Sequence, residues 1–350
     1  MSRLLEVQRA ARAFYRSELE ARPDGWAVRH LTGRGLRASL ADQHWSIGYA
    51  PDSWRALVDH LRREGFADEA LIGAGLASPT INGYLVDRFR DRIMFAADDG
   101  DLEPVGFVGR ARADRIRYLN SPTTAIYSKS ETVVGLGAQR GKLLRGAVPV
   151  LVEGPIDALA VDQVGRSWAG ISSAGVAVSV QQALMIRRWA PQNRVVVAFD
   201  SDLGGRLGAV RSLDVLSQVF ADVSIAEFPG GQDPASCFTS TPAGLATALT
   251  TARPLAEFAI DFEVARWEKV LDHISGQVNA LRAVAPLVRR LPSDRIAQQI
   301  VRLSQRLNLE VDVVSREVLT PVSRAPSRRA SSRRRDPDDP EWPNMPSRTP

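Results

Sequence analysis

The sequence predicts an α/β fold: a mixed α/β part first, a Rossmann-like layer built on a parallel sheet next, and a helical part last. Two patterns carry this prediction. Between residues 148 and 229, short apolar runs rich in β-branched residues alternate with amphipathic helical segments, which is typical of βαβ units. After residue 240, apolar residues recur at the three- and four-residue spacing of helices.

The parallel layer is predicted in most detail. Its strands are expected in the runs VPVLVEG, WAGISS, RVVVAFD and VSIAEF, and its helices over 156–164, 180–189 and 205–220. In front of it, helices are predicted at the start of the chain and from about Pro51, where Trp54, Leu57 and Leu61 share a face. Strands are predicted over 92–96, 104–108, 116–119 and 125–127.

Helices are predicted again over 254–273, 276–291 and 293–307, the last with Ser293 as its N-cap. The final thirty residues are rich in Arg and Pro and have almost nothing to bury, which predicts disorder. The expected organisation is a basic subdomain over 1–147, a metal-binding domain over 148–240, a helical subdomain over 241–320 and a disordered tail over 321–350.

Composition excludes several classes of protein. Cys237 is the sole cysteine, so no intrachain disulfide and no cysteine-based zinc finger can form, and we expect no zinc. No apolar run approaches the roughly 18 residues of a membrane span, and the start of the chain lacks a signal-peptide core. These features predict a cytoplasmic protein without a membrane partner.

Acidic residues follow three of the predicted strands. Glu153 ends the first run and is followed by Asp157, Asp200 and Asp202 end the third run, and Asp233 follows the last. Because the carboxyl ends of parallel strands meet at one edge of a sheet, these carboxylates are expected to converge on a hard cation such as Mg²⁺. That arrangement favours phosphoryl transfer on a nucleotide or nucleic acid. The alternative for any single acid, such as Asp157 or Asp200, is an exposed helix N-cap.

A basic stretch precedes the acidic one. Between Arg110 and Arg145, eight Arg and Lys residues face only Asp114 and Glu131, and Tyr118, Asn120 and Tyr127 are interleaved with them. Such a pattern fits a nucleic-acid groove, and the alternative is a solvated basic face. With a net charge of +5, the chain as a whole permits a polyanionic partner without requiring one.

Particular motifs resemble a known family. The segments EGPIDALA and AFDSDLGG resemble the two acidic motifs of Toprim domains. The stretch from Gly83 to Ser130, with RGL at residues 34–36 and IGYAPDSW at 47–54, is similar to the RNA polymerase core of bacterial replicative DNA primases of the DnaG type. The resemblance covers about residues 10–319 and implies a primase core fold with a Toprim sheet.

The resemblance implies roles for individual residues. Glu153, Asp200 and Asp202 would form the metal centre for Mg²⁺ or Mn²⁺, with Asp157 supporting the loop and Asp233 as a further acid. The residues implied on the template or nucleotide groove are Arg34, Arg88, Arg90, Arg110, Arg117, Tyr118, Asn120 and Lys129. Structural pairing with Asp87 or Asp91 remains an alternative for Arg88 and Arg90.

The sequence also departs from the family pattern. Arg117 stands where the family generally has Lys, SSAG at 172–175 replaces a turn that usually contains Gly-Thr, and Ala235 replaces the second acid of a DPD motif. Counterparts of the N-terminal zinc ribbon and the C-terminal helicase-binding domain are not recognisable, so a separate zinc-bearing chain or a replicative helicase is an expected partner.

Three functions remain open on the sequence. The first is synthesis of short RNA primers from ribonucleoside triphosphates on a single-stranded DNA template. The second is a weakly catalytic DNA-binding module of a replication or mobile-element apparatus. The third is Toprim-type strand cleavage, which as a topoisomerase needs an attacking tyrosine, and all five tyrosines lie before the Toprim segment.

Overall fold

The structure is a computed structural model that describes residues 2–112, 116–175 and 177–320. Its N-terminal part combines helices with short and long strands. In chain order these are α1 (Ser2–Glu20), α2 (Trp26–Gly33), α3 (Arg37–Ala41), β1 (Gly48–Ala50), α4 (Ala56–Arg63), α5 (Asp68–Gly73), β2 (Ala77–Pro79), β3 (Leu85–Asp87), β4 (Arg92–Asp98), β5 (Pro104–Ala111), β6 (Tyr118–Asn120), β7 (Val133–Val134) and α6 (Leu136–Leu144). A single 3₁₀ turn, Lys129–Glu131, precedes β7.

The second part alternates strands and helices as predicted. It contains β8 (Val148–Val152), α7 (Pro155–Val164), β9 (Trp168–Ser172), α8 (Val180–Trp189), β10 (Arg194–Val197), α9 (Leu203–Ser217), β11 (Asp222–Ile225), α10 (Pro234–Ser240), α11 (Pro242–Thr250) and β12 (Arg253–Pro254). The helices that follow are α12 (Leu255–Arg266), α13 (Ile274–Val288), α14 (Ser293–Leu307) and α15 (Val311–Leu319). None of the described helices is long and apolar enough to cross a bilayer.

One continuous sheet runs through both parts. In the described residues its ten strands follow the order β12-β11-β10-β8-β9-β7-β4-β5-β6, with β1 paired to β4 off this path. Strands β9, β8, β10 and β11 are parallel, which confirms the predicted Rossmann-like layer. The short strand β7 pairs antiparallel with both β4 and β9 and so joins the two halves.

The central strands are covered on both faces. Val150 and Val152 point into a core that also holds Leu159 of α7, whereas Leu151 points to the opposite face, where Ala183 of α8 packs. All three β8 residues are fully buried. Burial on both faces explains why this strand reads as a continuous apolar run instead of an alternating one.

Two predictions for the N-terminal part are wrong. Residues 125–127 form a loop, because the Thr124 hydroxyl accepts the N–H groups of Ile126 and Tyr127 and diverts the backbone from strand pairing. The helix expected from Pro51 begins at Ala56, because the Asp87 carboxylate accepts the first N–H groups there. Trp54 therefore lies outside that helix and is exposed.

Of the three predicted C-terminal helices, 276–291 and 293–307 lie close to their observed bounds, whereas 254–273 ends early, at Arg266, and a separate 3₁₀ turn follows over Glu268–Val270. Ser293 is the first residue of α14 and makes no capping hydrogen bond, so its prediction as N-cap is wrong and Pro292 holds that position. A separate core, which includes Ile260 of α12 and Leu303 of α14, holds these helices together. The predicted disordered tail, 321–350, lies outside the described residues.

Candidate active site

A cavity of about 310 Å³ lies where the carboxyl ends of β8 and β10 face strand β6. Its wall combines acidic and basic residues that are distant in the sequence. The predicted site residues on this wall are Arg117, Tyr118, Asn120, Lys129, Glu153, Asp157, Asp200 and Asp233. The fold therefore brings the predicted acidic and basic stretches to one cavity.

Glu153 and Asp200 touch across adjacent strand ends. Glu153 Oε1 accepts a hydrogen bond from the Asp200 backbone N–H at 3.3 Å. The Asp200 Oδ1 atom is buried and has no hydrogen-bond partner among the described residues. Gly205 permits this close packing, since a Cβ there would stand 2.6 Å from Glu153 Oε1 and 2.2 Å from the Asp200 carbonyl oxygen.

Asp157 lies below this pair in the first turn of α7. Its Oδ1 atom accepts the Ala235 N–H at 3.1 Å, which ties α7 to the start of α10. The side chain is 7% exposed, so a charge on it is poorly solvated. It therefore belongs to the buried floor of the cavity.

Burial, and then the charges of neighbouring acids, raise the pKa values of three acids in the site. Burial, followed by the charge of Asp200, raises the pKa of Glu153 to about 7. Burial and the charge of Asp233 raise the pKa of Asp157 to about 8 and that of Asp200 to about 6. Carboxylates with raised pKa values lack enough positive charge nearby to stabilise their ionised form. A bound cation would supply that charge.

Two predicted acids also cap helices. Asp202 accepts the Gly205 N–H at 2.8 Å at the start of α9, and Asp233 accepts the Ser236 N–H at the start of α10. The N-cap alternative thus holds for these two acids. Asp202 is exposed and is not on the cavity wall, although its charge contributes to the raised pKa values of Glu153 and Asp200.

The donor set suits a hard divalent cation. The side chains on offer are carboxylates, the ligands that Mg²⁺ prefers, and one of their buried oxygens, Asp200 Oδ1, is unpartnered in the described part of the chain. Within the same residues, no group of three or more acidic, His or Cys side chains is already arranged around one ion. Asp202 and Asp233 are turned toward helix N-termini, which accounts for this incomplete convergence.

The basic half of the site meets the acidic half at Tyr118. Burial and the neighbouring Asp157 charge raise the pKa of Tyr118, and Arg110 opposes them. Arg110 sits opposite Tyr118 in the β5–β6 pairing and is itself 7% exposed. Arg34, at the end of α2, is close enough for its charge to act on Asp157 and Arg110.

Arg88 and Arg90 lie off the cavity wall and hold neighbouring structure. Arg88 donates through Nε and Nη2 to the Asn120 carbonyl, which fixes strand β6. Arg90 donates to the Asp87 carbonyl, and its guanidinium lies 4.0 Å from the centre of the exposed Trp54 ring. The sequence left ion pairing with Asp87 or Asp91 as an alternative role. Among the ion pairs of the described residues, neither arginine pairs with either carboxylate.

His30 lies next to the basic residues of the site and was not among the site residues predicted from the sequence. Burial, followed by the charges of Arg110, Arg34 and Arg117, lowers its pKa to about 4, so it is neutral beside the basic cluster. Its Nε2 atom is buried without a hydrogen-bond partner in the described structure. The spacing of four residues to Arg34 was the available signal, because it puts both near the same face at the end of α2.

Ala235 is 1% exposed and packs in the core that contains Cys237 and Phe238. It contributes its N–H to Asp157 and is not part of the cavity wall. The position where the family resemblance expected an acid is therefore buried directly behind Asp157.

A parallel carboxylate-bearing sheet, continuous with a basic antiparallel sheet, defines a Toprim-type catalytic core of the kind found in primases. Comparison with known proteins agrees. Residues 14–140 match the N-terminal domain of the DNA primase catalytic core, and residues 150–238 match a Toprim-like domain.

Similar proteins are DNA primases. The DNA primase of Mycobacterium tuberculosis is 31% identical over 311 residues, 86% of this chain and 48% of the relative. The RNA polymerase domain of Mycobacterium tuberculosis primase DnaG, in complex with a double-stranded DNA oligomer with a 6-nucleotide overhang, is 30% identical, with a TM-score of 0.70 over 89% of this chain and 98% of that one. A DNA primase domain from Pseudomonas aeruginosa is 29% identical, with a TM-score of 0.72 over 90% and 99%.

The chain belongs to the DnaG-type DNA primases, in the part of that family that forms the catalytic core. It spans about half the length of the curated relatives it matches.

Proposed function

We propose that the protein synthesises short RNA primers on single-stranded DNA by metal-dependent transfer of ribonucleotides. The observation that carries this proposal is the one cavity wall shared by Glu153, Asp200, Arg117 and Lys129. Carboxylates for a metal and cations for phosphates are both needed to join a nucleoside triphosphate to a growing strand. A cytoplasmic location, expected from the sequence, is part of the same proposal.

The acidic residues would hold Mg²⁺, with Mn²⁺ as a substitute. Glu153 and Asp200 would be direct ligands, because they are in contact with each other. Asp157, Asp202 and Asp233 add negative charge around them. When bound, the ion neutralises phosphate oxygens and aligns the reacting oxygens. Glu153 could instead act as general base toward a 3′-hydroxyl, because its carboxylate lines the same cavity.

The basic residues would bind the phosphates of the template and of the incoming nucleotide. Arg117 and Lys129 line the same cavity as four carboxylates, so the site has room for phosphate contacts and still has an excess of acids to hold a cation. The M. tuberculosis domain has been crystallised with DNA that carries a single-stranded overhang, which supports a single-stranded template as the partner here. A replicative helicase or a zinc-bearing chain as a further partner stays a proposal from the family resemblance.

The test is incorporation of labelled ribonucleotides on single-stranded templates with Mg²⁺ or Mn²⁺. We expect the wild-type protein to extend primers, and Asp200→Asn to lose at least about a hundredfold in rate, as for loss of an electrostatic group at a reaction centre. Asp222→Asn is the matched control, since Asp222 is an exposed acid at the amino end of the neighbouring strand β11.

Two results would contradict the proposal. Template binding without incorporation in either metal would favour the DNA-binding module. Cleavage of the template in place of extension would favour the Toprim nuclease. A third result bears on the metal site alone: equal incorporation by wild type and Asp200→Asn would show that Asp200 is not a metal ligand.

A further inference from the structure

A buried glutamine outside the cavity wall connects the basic and acidic halves of the site. Gln182 lies in the first turn of α8 and is 2% exposed. Its Nε2 atom donates to the carbonyl oxygens of Thr132 at 2.8 Å, Lys129 at 3.1 Å and Ser173 at 3.2 Å. The first two carbonyls belong to the lysine turn, residues 128–132, and the third to the loop after β9.

The same helical turn makes a second connection. Gln182 Oε1 accepts the Ser179 N–H at 3.0 Å, and the Ser179 hydroxyl accepts the Gln182 N–H, so the two form a capping box. The Ser179 hydroxyl also donates to the Ser130 carbonyl. Three carbonyls of the lysine turn are thus held by two side chains of α8.

Lys129 reaches toward the loop that the same amide holds. A Cβ built on Gly175 would stand 3.0 Å from Lys129 Nζ, so the ammonium group lies against this glycine. Lys129 and Gly175 both line the candidate active-site cavity, and both also line an adjoining cavity of about 550 Å³ whose wall includes Gln182 and Ser179. The backbone of Lys129 and the loop under its ammonium group are therefore fixed by one side chain.

We propose that Gln182 is a positioning residue that sets the place of the Lys129 ammonium group in the cavity that it shares with Glu153 and Asp200. What Lys129 binds rests on the proposed function. Where Lys129 is held rests on the hydrogen bonds alone.

A side-chain amide is suited to this task. Its two hydrogens are shared among three carbonyls while its oxygen accepts the helix N-cap, so every polar atom of the group is used. Without it, three carbonyls lose this donor, and the lysine turn keeps its internal hydrogen bonds and the Ser179 contact. The 3₁₀ turn has only three residues, so it has little structure of its own to hold the backbone.

The neighbouring residue provides a matched control. Gln181 lies in the same helical turn and carries the same amide, but its side chain is exposed. Gln181→Ala and Gln182→Ala thus make an identical chemical change on the same helix, and only the second removes the contact with the lysine turn. Ser179→Ala is a milder second variant, because it removes the N-cap and one hydrogen bond to the lysine turn and leaves the Gln182 amide in place.

The position of Lys129 can be observed directly, because the chain has three lysines, Lys129, Lys142 and Lys269. Reductive methylation with ¹³C-formaldehyde gives each lysine an NMR signal, and Lys129→Arg assigns the signal of Lys129. Lys142, which donates to the Asp162 and Gly165 carbonyls, and the exposed Lys269 are internal references.

We expect Gln182→Ala and Ser179→Ala to shift the Lys129 signal toward that of Lys269, while Lys142 and Lys269 signals stay in place. Ribonucleotide or template affinity should fall about fivefold in Gln182→Ala, the equivalent of one hydrogen-bonded contact. Gln181→Ala should match wild type in both measurements.

An unchanged Lys129 signal in folded Gln182→Ala would overturn the inference. If Gln182→Ala does not fold, Gln182→Met, which keeps the size of the side chain without the Nε2 donor, replaces it, and an unchanged signal there overturns the inference in the same way. A shifted signal in a protein whose wild type incorporates no ribonucleotide would instead keep the positioning role and contradict the proposed function.

Discussion

At the scale of residues, the acids of the cavity serve structure and charge at once. Asp157 and Asp233 of the cavity wall each accept a backbone N–H, as does Asp202 off the wall, while burial and the charge of Asp233 raise the pKa of Asp157. An exposed acid that only capped a helix would be stabilised in its charged form, with a lowered pKa. The raised pKa values of Glu153, Asp157 and Asp200 are therefore those of buried acids that lie close to other acids, not those of exposed caps.

Ala235→Asp tests how much further negative charge the cluster accepts. Because Ala235 is buried behind Asp157, a carboxylate there should lower the free energy of unfolding on the order of 2 kcal/mol without metal. Saturating Mn²⁺ or Mg²⁺ should restore more stability in the variant than in wild type, since the added charge strengthens cation binding. Melting with chelator and with each metal measures both, and identical metal-induced shifts in the two proteins would exclude position 235 from the metal centre.

Lys129→Glu tests the basic half of the site. Reversing this charge on the cavity wall should weaken binding of single-stranded DNA or of a ribonucleotide roughly tenfold. If the contact is to template phosphate, the slope of log affinity against log salt should also fall by about one. Fluorescence anisotropy at several salt concentrations measures this, with the exposed Lys269→Glu as the matched charge reversal. Equal effects of the two reversals would mean that Lys129 acts only through net charge.

At the scale of elements, buried acids from the β-sheets begin helices that are distant in the sequence. Asp87 of β3 accepts the N–H groups of Leu57 and Val58 in α4, and Asp98 of β4 accepts the Gly137 N–H in α6. These caps come from 29 to 39 residues away, so a local capping pattern cannot reveal them. They join helices to sheets where ordinary local caps are missing.

Asp98 predicts a pH dependence of stability. Burial raises its pKa to about 7, far above the ordinary value of 3.8. The folded state therefore holds a proton that the unfolded state releases, and stability present below about pH 4 is lost as pH rises through about 7. Asp98→Asn keeps an acceptor for Gly137 without the charge, so it should be more stable than wild type at pH 8, on the order of 2 kcal/mol.

Urea unfolding of both proteins at pH 5, 6, 7 and 8 checks this. The difference between variant and wild type cancels the titration of the cavity acids, which both proteins share, and should grow with pH up to about 7. A constant difference across these pH values would show that Asp98 stays charged in the folded state.

At the scale of the whole molecule, the boundary predicted at residue 147 does not separate two cores. The main core contains Leu31 and Phe95 from the first part together with Val152 and Leu245 from the second. Strand β7 pairs with strands from both halves, so hydrogen bonding is also continuous. The basic and acidic halves of the site are therefore parts of one folded unit.

We expect the two halves to unfold together. Cys237, the sole cysteine, is buried in α10 and reports the second half through its reactivity with a maleimide. Trp26 and Trp45, both in contact with the main core, report the first half through fluorescence once the later tryptophans, Trp168, Trp189, Trp267 and Trp342, are replaced by Phe. The two probes should give the same urea midpoint, because a continuous sheet and a shared core leave neither half stable alone. Labelling of Cys237 at clearly lower urea than the loss of fluorescence would show independent halves.

The sequence by itself determined the parallel layer, its order of strands and helices, and the acids at its strand ends. Uninterrupted β-branched runs fit only strands covered on both faces, and acids that follow such strands meet at one edge whatever the rest of the chain does. The resemblance to the family implied the basic residues of the site as well. These inferences depend on local pattern, which residues 148–229 express without conflict.

Tertiary structure alone decided the rest, because it depends on contacts between distant residues. The caps from Asp87 and Asp98, the bridging strand β7 and the amide of Gln182 all join segments separated by 29 to 53 residues or by several strands. Nothing in the local sequence of the donor or of the acceptor marks a hydrogen bond of this kind. Only the folded chain shows that Lys129, Tyr118 and Glu153 face one cavity.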